Sequence, residues 1–533
     1  MADAAPVAAP SDLAAATIPA VVERAAERFG EREGLVDGEG ARRLTFADLA
    51  DAVDRAARAL VALGVEAGDR VAVWAPNSAE WAIAALGSLR AGAVLVTVNT
   101  RFKGTEAAHV ISTAGARVLV TVTDFLDTDY VALLDGAGRP PCLEHTVVLS
   151  GPVPAGSVAW TDLVARGEAV DPTVTAARAA AIDPDDVSTI IFTSGTTGAP
   201  KGAMLRHGAS VRAFDAWATE VGLREGDRYL VVNPFFHCFG LKAGILACLI
   251  KGSTIVPHPV FDVPSVMQRV DDEHITMLPG PPAVYQTILD HPDLDRFDLS
   301  SLRLAVTGAA TVPVEMIRRM ASELTFRTIV TGYGLTESTG IATMCRHTDD
   351  PDTIAHTAGR AIPGVEVAVV DEKGHAVAPG SPGEVVVRGY NVMAGYFGDP
   401  GATAAAIDDE GWLHTGDVGM LDERGYLRIT DRIKDMFTVG GFNAYPAEIE
   451  NVLNEHPAVG QVAVVGVPDH RLGEVARAFV VPREGAAIDE DALIAWARER
   501  MANYKVPRNI EVVDALPLNA SGKVLKYVLR QRG

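Results

Sequence analysis

The chain has 533 residues, 48% hydrophobic and 22% charged, a balance that supports a large folded core and excludes a mainly disordered protein. At roughly 150 residues per domain, the length suggests three to four domain-sized units. The net charge of −22 argues against non-specific binding to nucleic acid or anionic membrane, although a phosphate site needs only local donors. The four cysteines, Cys142, Cys238, Cys248 and Cys345, show no C-x-x-C pair and no zinc spacing, so a reduced, cytoplasmic setting is expected. The first twenty residues hold two Asp and no Lys or Arg, unlike the basic start of a signal peptide. No apolar run nears the ~18 residues of a membrane span. Ala243–Ile250 is long enough only for a buried helix.

The Ala/Pro-rich start, before about Thr17, reads as an unstructured tail. Strands and helices then alternate. VAVWAPNSAEWAIAALGSLRAGAVLVTVN reads strand, helix, strand, with Asn77 and Glu80 as a capping box and Gly92 closing the helix. Further strands are expected at Arg117–Val122, Thr146–Leu149, Thr189–Thr193, Tyr229–Val232, Ile275–Leu278 and Leu302–Thr307. This pattern predicts an α/β fold with largely parallel sheets and covering helices. After Gly359 short strands with Gly/Pro turns predict a small β-subdomain over about 360–431. From Lys434 helices and strands alternate again, predicting a small α+β C-terminal domain. The expected division is an N-terminal domain over 1–431, a hinge at 432–434 and a mobile domain over 435–533.

The strongest local signal is Thr193-Ser-Gly-Thr-Thr-Gly-Ala-Pro-Lys-Gly202, at the end of the apolar run VSTIIF. Its glycines leave backbone N–H groups open, its hydroxyls donate, and Lys201 adds charge, so it suits anionic oxygens. It is not a Walker A loop. Pro200 stands at the second Gly position, and Gly202 replaces the Ser/Thr that would face Mg²⁺.

The string resembles the AMP-binding signature of the adenylate-forming superfamily, which includes acyl- and aryl-CoA synthetases, peptide-synthetase adenylation domains and luciferases. The resemblance runs in order from about Leu49 to Lys526. Asn233-Pro-Phe-Phe-His-Cys-Phe-Gly240 resembles the family's aromatic/His segment at the acyl pocket, and Gly308-Ala309-Ala310 its adenine-contacting turn. Thr331-Gly-Tyr-Gly-Leu-Thr-Glu-Ser338 resembles its GYGxTE segment, and Thr415-Gly-Asp417 its ribose-binding TGD. Asp431-Arg-Ile-Lys-Asp435 resembles its hinge, Gly440-Gly441-Phe-Asn443 the loop beside it, and Asn519-Ala-Ser-Gly-Lys523 its catalytic lysine motif. Asp431 stands where Gly is commoner and Ala444 where Ile or Val is usual; neither change removes a catalytic group.

The resemblance implies roles. Thr193, Ser194, Gly195, Thr196, Thr197, Gly198 and Lys201 would hold the pyrophosphate. Glu337 is a hard carboxylate of the kind Mg²⁺ accepts beside phosphates. Thr336 would donate to the α-phosphate. Tyr333 would stack on adenine, Asp417 would accept the ribose hydroxyls, and Arg432 would hold ribose or phosphate. His237 would gate the acyl or pantetheine tunnel, for which Gly440 and Gly441 leave room. Lys434 would be the pivot, and Lys523 would stabilise carboxylate and α-phosphate. The implied substrates and cofactors are ATP, Mg²⁺, coenzyme A and a small carboxylic acid.

Three functions stay open: a CoA ligase, an acyl-AMP ligase loading a carrier protein, and a catalytically dead AMP-binding regulator. Retention of Glu337, Lys434 and Lys523 argues against the last. The chain ends ten residues after Lys523, which favours soluble CoA as acceptor. FFHCFGLKAGILACLIKG, LPGPPAVYQTILDHPDLDRFDLSSLRLAVTGAATVP and PDHRLGEVARAFVV resemble actinobacterial ligases of steroid-ring degradation. That resemblance implies a propanoate side chain on an indane-dione remnant, with a medium-chain fatty acid or an aryl acid as alternatives. The string Pro517–Lys523 also resembles the site that protein acetyltransferases modify, with a deacetylase as counterpart; a homodimer is a further expectation. Lys242, at the start of an apolar helix, is expected to reach solvent, the rival reading being a hydrogen bond to a substrate ketone.

Overall fold

The computed structural model describes residues 13, 15–38, 41–193, 200–307, 312–432, 435–439, 442–469, 472–501, 503–518 and 524–532. Most of the N-terminal tail therefore lies outside the described residues. The chain forms two compact units: Met1–Val367 with Val387–Leu413, and Ala368–Val386 with His414–Gly533. The β-rich stretch expected over 360–431 is shared between them.

The first unit is built on an eight-stranded sheet. Its order is Gly395–Tyr396, Lys201–Arg206, Val187–Thr193, Val94–Thr97, Arg70–Trp74, Val118–Thr121, His145–Val148 and Val158–Ala159. From Val187–Thr193 onward every pairing is parallel. Parallel strands need crossovers, and helices such as Ala79–Arg90 and Gly104–Ala114 supply them and cover the faces. Val118–Thr121 is accordingly buried at every position, not at alternate ones. The strand Lys201–Arg206 returns antiparallel on Val187–Thr193. Two further sheets contain the parallel pairs Arg228–Val231 with Thr254–Pro257 and Leu304–Thr307 with Thr328–Tyr333. The strand expected at Ile275–Leu278 reduces to Met277, which bridges Tyr229 on one side and Leu304 on the other.

The expected cap of helix Ala79–Arg90 is corrected by one residue. Ser78 is the N-cap, its hydroxyl accepting from Trp81 N at 3.1 Å. Asn77 reaches across instead. Its amide donates to Val231 O at 3.0 Å and Asn233 O at 2.9 Å and accepts from Phe235 N at 2.8 Å. Asn77 therefore holds the turn that carries the aromatic/His segment, while Glu80 pairs with Arg42.

That segment leads into a π-helix, Phe239–Leu246, continued by the α-helix Ala247–Lys251. Lys242 lies within it and does not reach solvent. The side chain is fully buried, and its ammonium donates to Thr189 Oγ1 and Ser210 Oγ, both at 3.0 Å. Both partners are protein hydroxyls on neighbouring elements, so the ketone reading finds no support in these contacts. Burial lowers its pKa to about 8. The titratable groups that sense it are neutral at pH 7. Burial and the Lys242 charge hold His207 down to about 3, and burial pushes the Cys238 thiol up to about 12.

In the second unit Leu413–Leu421 pairs antiparallel with Leu427–Arg432. A five-stranded sheet follows, with Gly473–Pro482 at its centre, antiparallel to Val459–Asp469 and parallel to Asn509–Val512. Helices Pro446–Asn454 and Glu490–Arg498 contribute to its core. Asp435 accepts from Arg530 Nη2 at 2.8 Å, so the residue after the expected hinge is tied to the last helix, Lys526–Arg530. Among the described residues no helix is long and apolar enough to cross a membrane.

Lys242 yields a pH-dependent prediction. Its folded pKa of about 8 lies below the unfolded value of about 10.5, so the unfolded chain binds more protons between those pH values. Burial therefore costs stability below pH 8, and the cost is relieved as pH rises to 10.5. Relative to Lys242→Met, the wild type should gain up to about 3 kcal/mol over that window. Parallel melting curves of the two proteins across pH 7–10.5 are the check, and a constant difference would contradict it.

Candidate functional site

Three of the motif segments follow directly on strands of the first unit. Val187–Thr193 runs into the Gly/Ser/Thr loop. Leu304–Thr307 runs into Gly308–Ala310, and its parallel neighbour Thr328–Tyr333 runs into the segment holding Thr336 and Glu337. Carboxyl ends of parallel strands are the usual place for a ligand crevice in open α/β sheets. Ser194, Gly195, Thr196, Thr197, Gly198, Gly308, Ala309, Ala310, Lys434, Gly440, Gly441 and Lys523 lie outside the described residues.

Glu337 sits in a single 3-10 turn, Thr336–Ser338. Ser338 caps it by accepting from Leu335 N at 2.9 Å. Thr339 follows at φ 58°, and its hydroxyl donates to Asn391 O at 2.6 Å. Buried Asn391 donates in turn to Ile341 O at 2.8 Å. The turn is also closed from within. A Cβ on Gly334 would meet Gly340 O and Ile341 N, both at 2.5 Å. Only glycine fits there without moving backbone.

The Glu337 carboxylate takes its hydrogen bonds on Oε1. The Tyr396 hydroxyl donates to it at 2.9 Å, and the Thr193 hydroxyl lies at 3.4 Å. The Thr193 hydroxyl is also 3.4 Å from Lys201 O, so one proton serves two acceptors. The Lys201 ammonium stands 5.3 Å from the Tyr396 ring centre, within cation–π range. The structure thus brings Thr193, Lys201 and Glu337 together, and adds Tyr396, which sequence reasoning missed. Burial, then the Glu337 charge, raises the Tyr396 pKa, so its hydroxyl stays protonated as a donor. Thr336 and Tyr333 are half-buried beside this cluster in the chain.

His237 is half-buried, its ring 4.7 Å from that of Phe236. Its N–H donates to Pro234 O at 3.0 Å and its carbonyl accepts from Leu241 N at 2.9 Å, so it opens the π-helix. A Cβ on Gly240 would meet Pro234 O at 2.1 Å, which fixes this tight entry.

In the second unit Asp417 is buried and lies opposite Arg432 across the antiparallel pair. Thr415, in the same strand, accepts from Asp417 N at 3.1 Å and donates to Val385 O at 2.7 Å. Gly416, at φ 68°, donates its N–H to Glu384 Oε1 at 3.1 Å. The Arg432 side chain lies outside the described residues.

A divalent cation accompanying a triphosphate takes one or two carboxylates and the phosphates themselves. Glu337 fits that role. It is one carboxylate beside a phosphate-type loop, and among the described residues Oε2 takes no hydrogen bond. No group of three or more His, Cys, Asp or Glu suited to an all-protein metal cage occurs among the described residues.

Comparison with known proteins shows the family and the fold. The model of the AMP-binding enzyme family matches residues 22–397, and that of the AMP-binding enzyme C-terminal domain matches 448–523. The chain is 50% identical over 522 residues to the 3-(7a-methyl-1,5-dioxo-octahydro-1H-inden-4-yl)propanoyl:CoA ligase of Rhodococcus jostii RHA1, covering 97% of this chain and 98% of that one. It is 41% identical over 498 residues to a feruloyl-CoA synthase of an Amycolatopsis species, covering 92% and 94%. Among solved structures, the anthranilate CoA ligase AuaEII with anthranoyl-AMP superposes with a TM-score of 0.86 at 29% identity, covering 97% of each chain. ATP-bound MatB from Rhodopseudomonas palustris superposes at 0.84 with 30% identity, covering 97% and 99%.

The Gly334 contact is testable. Gly334→Ala should displace the Glu337 turn and lower the rate of pyrophosphate release by about 10²-fold, the scale of an ångström-sized misplacement. Unchanged release from a folded variant, judged by circular dichroism, would show that the turn tolerates a side chain.

Proposed function

This chain belongs to the AMP-binding enzyme family, and from that premise we propose that it is an ATP-dependent, AMP-forming carboxylic acid–CoA ligase. The observation that carries the reading is the Glu337 carboxylate bonded to Thr193 and Tyr396, with Lys201 against the Tyr396 ring. The substrate carboxylate attacks the α-phosphorus of ATP. A carboxylate–phosphorus bond forms, the bond to the bridging oxygen breaks, and pyrophosphate leaves. The CoA thiol then attacks the acyl carbonyl, loses its proton, and expels AMP.

Each residue answers a charge or a shape. Loop N–H groups and hydroxyls from Thr193 to Gly198, with Lys201, hold the leaving pyrophosphate. Thr336 donates to the α-phosphate, Tyr333 stacks on the adenine beside Gly308–Ala310, and Asp417 accepts the ribose hydroxyls with Arg432 opposite. Glu337 would hold Mg²⁺, which when bound supplies neutralisation of the phosphate charge. His237, beside Phe236, gates the acyl path, and the family resemblance would assign Gly440 and Gly441 to the thiol. Lys434 is the pivot by which one C-terminal domain serves both steps.

The acid we propose is a cyclic propanoate carried on an indane-dione. Two ligases named for that acid, from Rhodococcus and Mycobacterium tuberculosis, are each 50% identical to the chain over nearly its full length. The feruloyl-CoA synthase at 41% and a human medium-chain acyl-CoA ligase at 33% are more distant. A panel of cyclic propanoates, C4–C12 fatty acids and aryl acids with ATP and CoA, read by mass spectrometry, should give thioester mainly from the cyclic propanoate. Preference for an aryl or straight-chain acid would overturn the acid assignment and leave the ligase reading intact.

Lys523 tests the two-step reading. An ammonium between carboxylate and α-phosphate offsets repulsion between two anions. Lys523→Ala should slow adenylate formation by roughly 10²–10⁴ while still binding ATP, the scale of a lost electrostatic group in an active site. Supplied acyl-AMP and CoA should still give thioester at near wild-type rate. Equal loss in both half-reactions would remove Lys523 from the first step. Acetylation of Lys523 by a protein acetyltransferase should produce the same split.

A further inference from the structure

Tyr396 is the residue of the site that no motif marked, and its backbone is held on two sides. The strand Gly395–Tyr396 pairs antiparallel with Lys201–Arg206, matching Tyr396 to Ala203. Phe397 N donates to Gly202 O and Ala394 N to Met204 O, both at 2.8 Å. Tyr396 N donates to Thr403 Oγ1 at 2.9 Å, on the helix Pro400–Ala406. Just upstream, Met393 N donates to the backbone carbonyl of Glu337 at 2.8 Å. The segment 393–397 thus spans from the metal-type carboxylate to the strand that leaves the phosphate loop.

We propose that Tyr396 is a positioning residue for adenylate formation: its hydroxyl fixes Glu337 Oε1 so that Oε2 faces the cation of the bound nucleotide, and its ring holds Lys201 over the loop. The proposal rests on the reading of Glu337 as the metal ligand. The chemistry supports the division of labour. A carboxylate has two oxygens, and a donor on one fixes the rotation of the group without occupying the other. The Thr193 hydroxyl cannot do this alone, because at 3.4 Å its proton is shared with Lys201 O. The aromatic face meanwhile attracts the ammonium that must meet the pyrophosphate. One side chain therefore orders both the anionic and the cationic member of the site.

The test uses the full chain with Tyr396→Phe, Tyr396→Leu, Glu337→Gln and the Tyr396→Phe/Glu337→Gln double variant. Mn²⁺ binding in the presence of ATP is read by electron paramagnetic resonance, independently of turnover. The Mg²⁺ dependence of pyrophosphate release, the KM for ATP, thioester formation from supplied acyl-AMP, and melting temperature are read beside it. Tyr396→Phe keeps the ring and should weaken Mn²⁺ binding about 10- to 100-fold, the scale of one hydrogen bond to a charged group. Saturating Mg²⁺ should restore most of its rate, and the thioester step should be unchanged. Tyr396→Leu should in addition raise the KM for ATP. The double variant should bind Mn²⁺ no worse than Glu337→Gln alone.

Wild-type Mn²⁺ binding by Tyr396→Phe, with Glu337→Gln impaired, would overturn the proposal and leave the Glu337 reading standing. Additive losses in the double variant would show that Tyr396 does not act through Glu337. Wild-type binding by Glu337→Gln would overturn the Glu337 reading itself. An equal KM for ATP in the Phe and Leu variants would remove the ring from the argument. Should Tyr396→Phe melt far below the wild type and lose the thioester step with adenylation, the residue is structural and the proposal falls.

Discussion

The organising constraint of this molecule is a hydrogen-bonded carboxylate, Glu337, set beside the end of the strand that enters the Gly/Ser/Thr string. Glu337 stands within reach of Thr193, at the start of the Gly/Ser/Thr loop, and on a triphosphate-binding surface it would repel the ligand it serves. A cation held by Glu337, as proposed above, would offset that repulsion. The rest of the first unit arranges the carboxylate for that task. The 3-10 turn fixes its backbone, Asn391 and Thr339 brace the turn, and Tyr396 holds one oxygen. The net charge of −22 gives anionic substrates no help from the overall field. Binding must come from donors a few ångströms away, which is why backbone N–H groups, hydroxyls and Lys201 matter more than composition.

The fold makes this local solution possible because parallel strands deliver their carboxyl ends to one edge. Thr193 and Glu337 are separated by 144 residues yet meet, since the strands leading to them belong to one compact unit. The aromatic/His segment is anchored the same way. Asn77, at the end of one strand, bonds the backbone of Val231, Asn233 and Phe235, more than 150 residues later. These contacts consume polar groups that would otherwise be buried without partners. Fold stability and site geometry thus rest partly on the same hydrogen bonds.

What could be read in advance was contiguous. The apolar run VSTIIF, the strand expected at Leu302–Thr307 and found at Leu304–Thr307, and the alternation of elements all declare themselves within a few residues. The α/β class and the family follow from such strings. What stayed hidden depended on distant partners. Asn77 looked like a helix cap because Glu80 lies three residues on, but the cap is Ser78 and the Asn77 amide serves another strand. Tyr396 and Asn391 gave no local signal, because their partners lie 59 and 50 to 53 residues away. The β-rich stretch was legible as strands. Its division between two compact units was not, because compactness is a property of long-range packing.

Lys242 shows the same lesson in energetic form. A lysine at the start of an apolar helix is by default a side chain that snorkels to water. Here the helix is a π-helix, a rare geometry frequent at functional sites, and the lysine points inward to two hydroxyls. Thr189 belongs to the strand that enters the phosphate loop, and Ser210 to the helix His207–Val221 that follows the loop's return strand. The ammonium therefore joins the segment that begins at His237 to both flanks of the loop. An apolar residue of similar length would fill the space but would have no directional bond to either hydroxyl. The desolvation cost of the charge is the counterpart of that directionality, and through a single buried nitrogen the lysine ties the π-helix to the strand Val187–Thr193 and the helix His207–Val221.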